Sequence, residues 1–258
     1  MRLERVLLGL GFCVLLGGCV TTSNGEKLPT TSKAQEARHA ARIHTELAQH
    51  YMQLGDLQSA LEKLKLALQF DDDYAPAHTV IAVVYERIKD FPDAEKNYRR
   101  AVELEPTKGA PNNNLGAFLC RIGKSAEGLP YFKRALADPF YATPDVAWIN
   151  DGVCRMQMHD IAGAENSFRH AIELNPKNAE ALYQMANAMY LDNDAFHASA
   201  FLQRYEALGK TSPAALKLGY DIELRLGDMD AARNYNKRLQ SQFPDSEQAQ
   251  ALNTTAKP

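Results

Sequence analysis

Residues 75–108 read APAHTVIAVVYERIKDFPDAEKNYRRAVELEPTK, and this stretch decides the fold. Ile81, Ala82 and Tyr85, then Ala94, Tyr98 and Ala101, recur at helical spacing. Pro106 closes the second run, because proline lacks an amide proton and clashes with the preceding turn. The stretch therefore predicts two antiparallel helices, A and B, which meet where the small Ala94 lets the backbones approach. Working outward, a small residue recurs at Ala60, Ala94, Gly128, Ala164, Ala198 and Ala232, with spacings of 34, 34, 36, 34 and 34. Windows aligned on it run 41–74, 75–108, 109–142, 145–178, 179–212 and 213–246, with residues 143–144 as the one insertion.

Each window supplies its own pieces. The first has Leu47, Ala48 and Tyr51, a Gly55-Asp56 turn, then Ala60, Leu64 and Ala67; the third has Leu115, Gly116, Leu119, Gly128, Phe132 and Ala135. The fourth carries Trp148, Gly152, Ala164 and Phe168, but Asp151 and Arg155 stand where Leu and Tyr are expected. The fifth keeps Met185, Ala186, Met189 and Ala198. The sixth is loosest, as a terminal cap without an outer neighbour would be. The pattern resembles the tetratricopeptide repeat over residues 41–246. The resemblance implies an all-α solenoid, a right-handed superhelix of about six helix-turn-helix repeats, concave on the A-helix side.

Composition agrees with helices. Of 258 residues, 45% are hydrophobic and 24% charged, and 15 Gly with 12 Pro are too few for a turn-dense β protein. Net charge is −3, without the basic surplus that nucleic-acid binding requires. Seven histidines include no pair at the i, i+4 spacing that presents two imidazoles to zinc. Walker, dinucleotide and nucleophile-elbow motifs are missing, and the carboxylates are scattered. No catalytic residue, metal, cofactor or small-molecule substrate is assigned, and the chain reads as a non-enzyme.

The N-terminus reads as an address. Arg2 and Arg5 precede the eleven-residue apolar run Val6–Leu16, then Gly17, Gly18 and Cys19. That run falls short of the ~20 residues a membrane-spanning helix needs. Leu16-Gly17-Gly18-Cys19 resembles the bacterial lipobox, which implies a signal peptide at 1–18 and lipidation of Cys19. Several acyl chains on one cysteine suffice for stable membrane attachment. Val20 stands where Asp would resemble an inner-membrane retention signal, so the expected location is the periplasmic face of the outer membrane. Residues 19–40 are expected to form the lipidated start and a flexible tether, and residues 247–258 a polar tail.

With Cys13 removed and Cys19 acylated, Cys120 and Cys154 remain in an oxidising compartment. By repeat register they lie two residues out of step on adjacent A helices, about 3 Å along the axis. They form either a disulfide across the third and fourth repeats or two small buried thiols.

Surface positions follow from the same register. Helix A positions 2, 5, 9, 12 and 13 line the concave side. They give a mixed surface in the first two repeats, which includes Val83, and an apolar stripe in the fourth and fifth: Val146, Ile149, Val153, Met156, Tyr183, Tyr190 and Leu191. This stripe serves either a bound protein or the neighbouring A helix. On helix B, position 26 is Arg100, Arg134, His170, Arg204 and Arg238, but Leu66 in the first repeat. Leu66 is therefore expected to be exposed near the anchor, as a second partner contact or as a scattered surface leucine.

A lipoprotein signal, a short tether and about six repeats, together with the GAPNNNLGAFLC stretch at 109–120, resemble the type IV pilus biogenesis and stability lipoproteins, the PilF/PilW pilotin family. The resemblance implies a scaffold that binds the outer-membrane secretin of the type IV pilus and promotes its localisation and multimerisation. The alternative is an envelope-assembly lipoprotein that scaffolds β-barrel insertion or peptidoglycan enzymes.

Overall fold

The computed structural model describes residues 32–255, which hold thirteen helices and no strand. They are α1 (Lys33–Gln53), α2 (Leu57–Phe70), α3 (Ala75–Arg87), α4 (Phe91–Leu104), α5 (Gly109–Arg121), α6 (Ser125–Leu136), α7 (Pro144–Gln157), α8 (Ile161–Leu174), α9 (Ala179–Leu191), α10 (Ala195–Glu206), α11 (Pro213–Leu226), α12 (Met229–Gln242) and α13 (Glu247–Thr255). The signal peptide 1–18, Cys19 and tether residues 20–31 lie outside the described residues.

One local device makes every A-to-B turn. A residue one or two places after helix A adopts positive φ: Gly55, Lys89, Gly123, His159, Asn193 and Gly227. The next residue is Asp56, Asp90, Asp160, Asp194 or Asp228, whose carboxylate accepts the amide two or three residues on and caps helix B. An aspartate cap satisfies an orphan amide and places negative charge at the positive end of the helix dipole. Lys124 holds this place in the third repeat and makes no cap hydrogen bond.

Packing then follows the small-residue ladder. Ala60, Ala94, Ala164, Ala198 and Ala232 are buried, and Leu64, Tyr98, Phe132, Phe168 and Leu202 fill the space four residues on. Gly128 is the exception for a steric reason: a Cβ there would lie 2.7 Å from Cys120 Sγ and 2.8 Å from the Gly116 carbonyl oxygen. Contacts run α1 to α3, α3 to α5, α5 to α7, α7 to α9 and α9 to α11, whereas no two of the even-numbered helices α2 to α12 pack on each other. Close A helices and separated B helices place the concave side on the A helices.

Two boundaries differ from expectation. Residues 33–40 belong to α1 rather than the tether, because Ser32 and Gln35 form a reciprocal capping box that starts the helix early. Residues 247–255 are α13 rather than a polar tail: Ala249 and Leu252 are buried against Leu216 and Leu239. The sixth repeat is thus itself covered by a helix.

Candidate protein-binding surface

The A helices form a groove over the first four repeats. One stretch, about 460 Å³, lies between α1 and α3 and is lined by Gln49, Met52, Thr79, Val83 and Arg87. The next, about 510 Å³, shares Val83 and Arg87 and continues along Asn113, Asn114, Arg121, Val146 and Asn150. These residues fall at helix A positions 2, 5, 6, 9, 12 and 13, so the repeat itself builds the surface.

Fixed polar groups define its chemistry. Arg121 donates from Nε and Nη2 to Glu86 at 2.5 and 2.9 Å, and the Tyr98 hydroxyl donates to the same carboxylate at 3.0 Å. Burial, with Glu86 beside it, pushes the Tyr98 phenol well above its ordinary pKa, so it stays a donor. Asn150 Nδ2 donates to Asn113 Oδ1 at 3.0 Å across α5 and α7. Arg87 Nη1 donates to the Met52 carbonyl oxygen at 3.1 Å, and Arg225 Nη1 repeats this on Tyr190 at 2.7 Å. Position 13 of an A helix thus clamps position 12 of the preceding one. Amides and guanidinium groups beside exposed apolar side chains suit an extended polypeptide, whose backbone needs hydrogen-bonding partners.

The residues expected at the surface divide into three groups. Val83 is half-buried in the groove wall, and Val146 is exposed at its far end. Val153, Met156, Tyr183 and Tyr190 are half-buried and pack on the core of repeats four and five; Tyr183 meets the ring of Tyr205, and the Arg225 guanidinium covers Tyr190 at 3.9 Å. Leu191 is exposed. Ile149 is a correction: it is core, 6% exposed, because α7 rotates that side chain toward α8 and α9. Leu66 is a second correction, half-buried rather than exposed. Exposed apolar surface in the first repeat lies instead at Ile43 and Leu47, whose counterparts Ala77, Ile81 and Leu115 are buried against a preceding repeat. Asn113, Asn114, Arg121 and Asn150 are not singled out from sequence; the register that selects Val83 also reaches Asn113 and Arg121, whereas Asn114 and Asn150 stand at position 6, outside it.

Cys120 and Cys154 are joined by a disulfide with Cα atoms 5.5 Å apart. On the B helices Arg100 pairs with Asp73, Arg99 with Glu95 and Glu127, and Arg238 with Glu206, whereas Arg134 and Arg204 make no ion pair and lie over the rings of Tyr131 and Phe201. No group of three or more His, Cys, Asp or Glu side chains among the described residues is placed to hold a metal ion, and none of the described helices is long and apolar enough to cross a membrane.

Tetratricopeptide-repeat models match residues 75–108 and 167–200. The type IV pilus assembly protein PilF of Pseudomonas aeruginosa is 27% identical over 242 residues, covering 94% of this chain and 95% of PilF. Among solved structures, P. aeruginosa PilF superposes with a TM-score of 0.76 at 24% identity, covering 85% of this chain and 99% of that one. The crystal structure of PilW, a widely conserved type IV pilus biogenesis factor, superposes with a TM-score of 0.79 at 32% identity, covering 82% of this chain and 97% of PilW. With six helix pairs in register and near-complete mutual coverage, the chain belongs to the PilF/PilW family of tetratricopeptide-repeat proteins of type IV pilus biogenesis.

Proposed function

We propose that this protein is a pilotin: a non-enzymatic scaffold, anchored through lipid on Cys19 to the periplasmic face of the outer membrane, that holds the type IV pilus secretin there and promotes its multimerisation. Kinship with PilF and PilW supports the pilus context. The observation that carries the binding role is the continuous A-helix groove, in which Val83 and Arg87 join two concavities. Anchoring a partner at one surface raises its effective concentration for ring formation, without any catalytic step. The lipobox-like Leu16-Gly17-Gly18-Cys19 supports the anchor.

The test uses two variants. Val83→Glu places a charge in the groove wall, where burying one large apolar side chain in an interface contributes about 1.5–3 kcal/mol. It is expected to cut secretin multimers and twitching motility at least tenfold with helicity unchanged. Cys19→Ser is expected to fold and to release the protein from outer-membrane fractions. Wild-type multimers and motility with a folded Val83→Glu protein would remove the groove from the reading. Unchanged fractionation of Cys19→Ser would remove the anchor.

A further inference from the structure

A separate concavity of about 830 Å³ lies between α6 and α7 and shares no lining residue with the A-helix groove. Its walls are Leu129, Pro130, Leu136 and Trp148, with Lys133 at the mouth and Asp151 and Arg155 at the base. It arises from a departure in the repeat. Positions 7 and 11 of helix A are Ile81 and Tyr85, Leu115 and Leu119, or Met185 and Met189 in the neighbouring windows. In the fourth repeat Asp151 accepts from Arg155 Nε at 2.6 Å and from the Ser167 hydroxyl at 2.6 Å. These side chains turn toward each other, and the apolar wall of α6 is left uncovered.

The groove is preformed. The Cys120–Cys154 disulfide ties α7 to α5, and the Trp148 ring lies tilted against His170 with centroids 4.6 Å apart. Its mouth also carries charge. Lys133 is exposed and makes no ion pair, whereas Arg134, next to it on α6, lies over the Tyr131 ring at 4.3 Å and faces away from this concavity. Arg169, adjacent in the chain to His170, likewise has no ion pair. Elsewhere on the B helices Arg99, Arg100 and Arg238 are each held by carboxylates, while Arg204 lies over the Phe201 ring. Lys133 thus leaves an unneutralised cation at the mouth of this apolar wall.

We propose that the α6/α7 groove binds an extended acidic–apolar segment of a partner protein, with its large apolar side chains against Leu129, Leu136 and Trp148 and its carboxylates on Lys133. A concave site of this volume takes several side chains in a row, whereas a bilayer surface does not enter it. Charge complementarity favours carboxylates over cations at its rim. The surface is additional to the A-helix groove and does not depend on what that groove binds.

Trp148 is the single tryptophan of the chain, so its emission reports the site directly. The probe is a synthetic peptide of three Leu-Asp-Phe-Glu units, titrated into the chain carrying Cys19→Ser. The expected result is a saturable blue shift of Trp148 emission that weakens as salt rises. Ala126→Glu, at an exposed lining position, and Lys133→Glu are each expected to weaken binding at least tenfold, and Val83→Glu to leave it unchanged. Four outcomes would overturn the proposal: no change in emission, equal binding of the peptide with Lys in place of Asp and Glu, equal binding by both rim variants, or a shift produced by phosphatidylglycerol vesicles but not by the peptide. The last would assign the face to a membrane.

Discussion

Cys120 on α5 and Cys154 on α7 are linked across the junction between the third and fourth repeats, with Cα atoms 5.5 Å apart. Two helix A residues can meet at that distance because α5 and α7 pack side by side, Gly128 leaves room for the Cys120 sulfur, and residues 143–144 lengthen the connection into α7. The bridge closes a loop of 34 residues, for which chain entropy predicts about 3–4 kcal/mol of stabilisation. Cys154→Ser is expected to lower the urea midpoint accordingly. Addition of reductant is expected to lower the wild type to the same midpoint and leave the variant unmoved.

Gly128→Ala tests the close approach of α5 and α6. The added methyl meets a sulfur and a backbone carbonyl oxygen, neither of which is a flexible side-chain end. Overpacking of this kind costs about 1–3 kcal/mol. Ala164→Gly, at the same register in the next repeat, opens space instead, and comparison of the two denaturation curves separates crowding from loss of helix propensity.

Asp151 and Arg155 replace an apolar pair by an ionic one. Asp151→Leu alone leaves the Ser167 hydroxyl only the Gly163 carbonyl oxygen, strands half of the Arg155 fork, and is expected to destabilise by about 2 kcal/mol. Adding Arg155→Tyr restores the Leu and Tyr of the first repeat and is expected to recover most of that loss, since replacing an ion pair by packed apolar side chains is often neutral or better. A double-mutant cycle in urea measures the coupling, and the double variant also fills the α6/α7 groove.

Asp160 gives a pH signature. Arg155 Nη1, 2.8 Å away, and the Gly163 amide hold its carboxyl below the ordinary aspartate range. A depressed native pKa contributes stability that is complete above the unfolded value of about 3.9 and is lost as pH falls through the native one. Asp160→Asn keeps a capping oxygen but removes the titration. Its urea midpoint is expected to fall less than that of the wild type between neutral pH and pH 3.

Deletion of residues 247–258 tests α13 as a lid. It uncovers Leu216 and Leu239 and removes the buried Leu252, each large apolar side chain being worth about 1.5–3 kcal/mol. Hydrogen exchange is expected to accelerate in α11 and α12, with α1 to α8 unaffected, because each repeat contacts its neighbours alone.

The sequence by itself determined the helix pairs, their register and the concave face. A spacing of 34 fixes which side chain meets which, and the Asp caps and left-handed turn residues act within a few bonds. It also determined that Cys120 and Cys154 come close, since register converts directly into distance along packed helices. Tertiary structure alone decided how much of each side chain the next helix covers. Register places Ile149 and Leu66 where a concave or an outer surface is expected, yet the tilt of adjacent helices buries one and half-covers the other. The same holds for residues 247–255, polar in composition, which became α13 because Ala249 and Leu252 find the apolar face of the last repeat. Local pattern specifies what a residue can contact; the curvature of the stacked repeats specifies what is left for a partner.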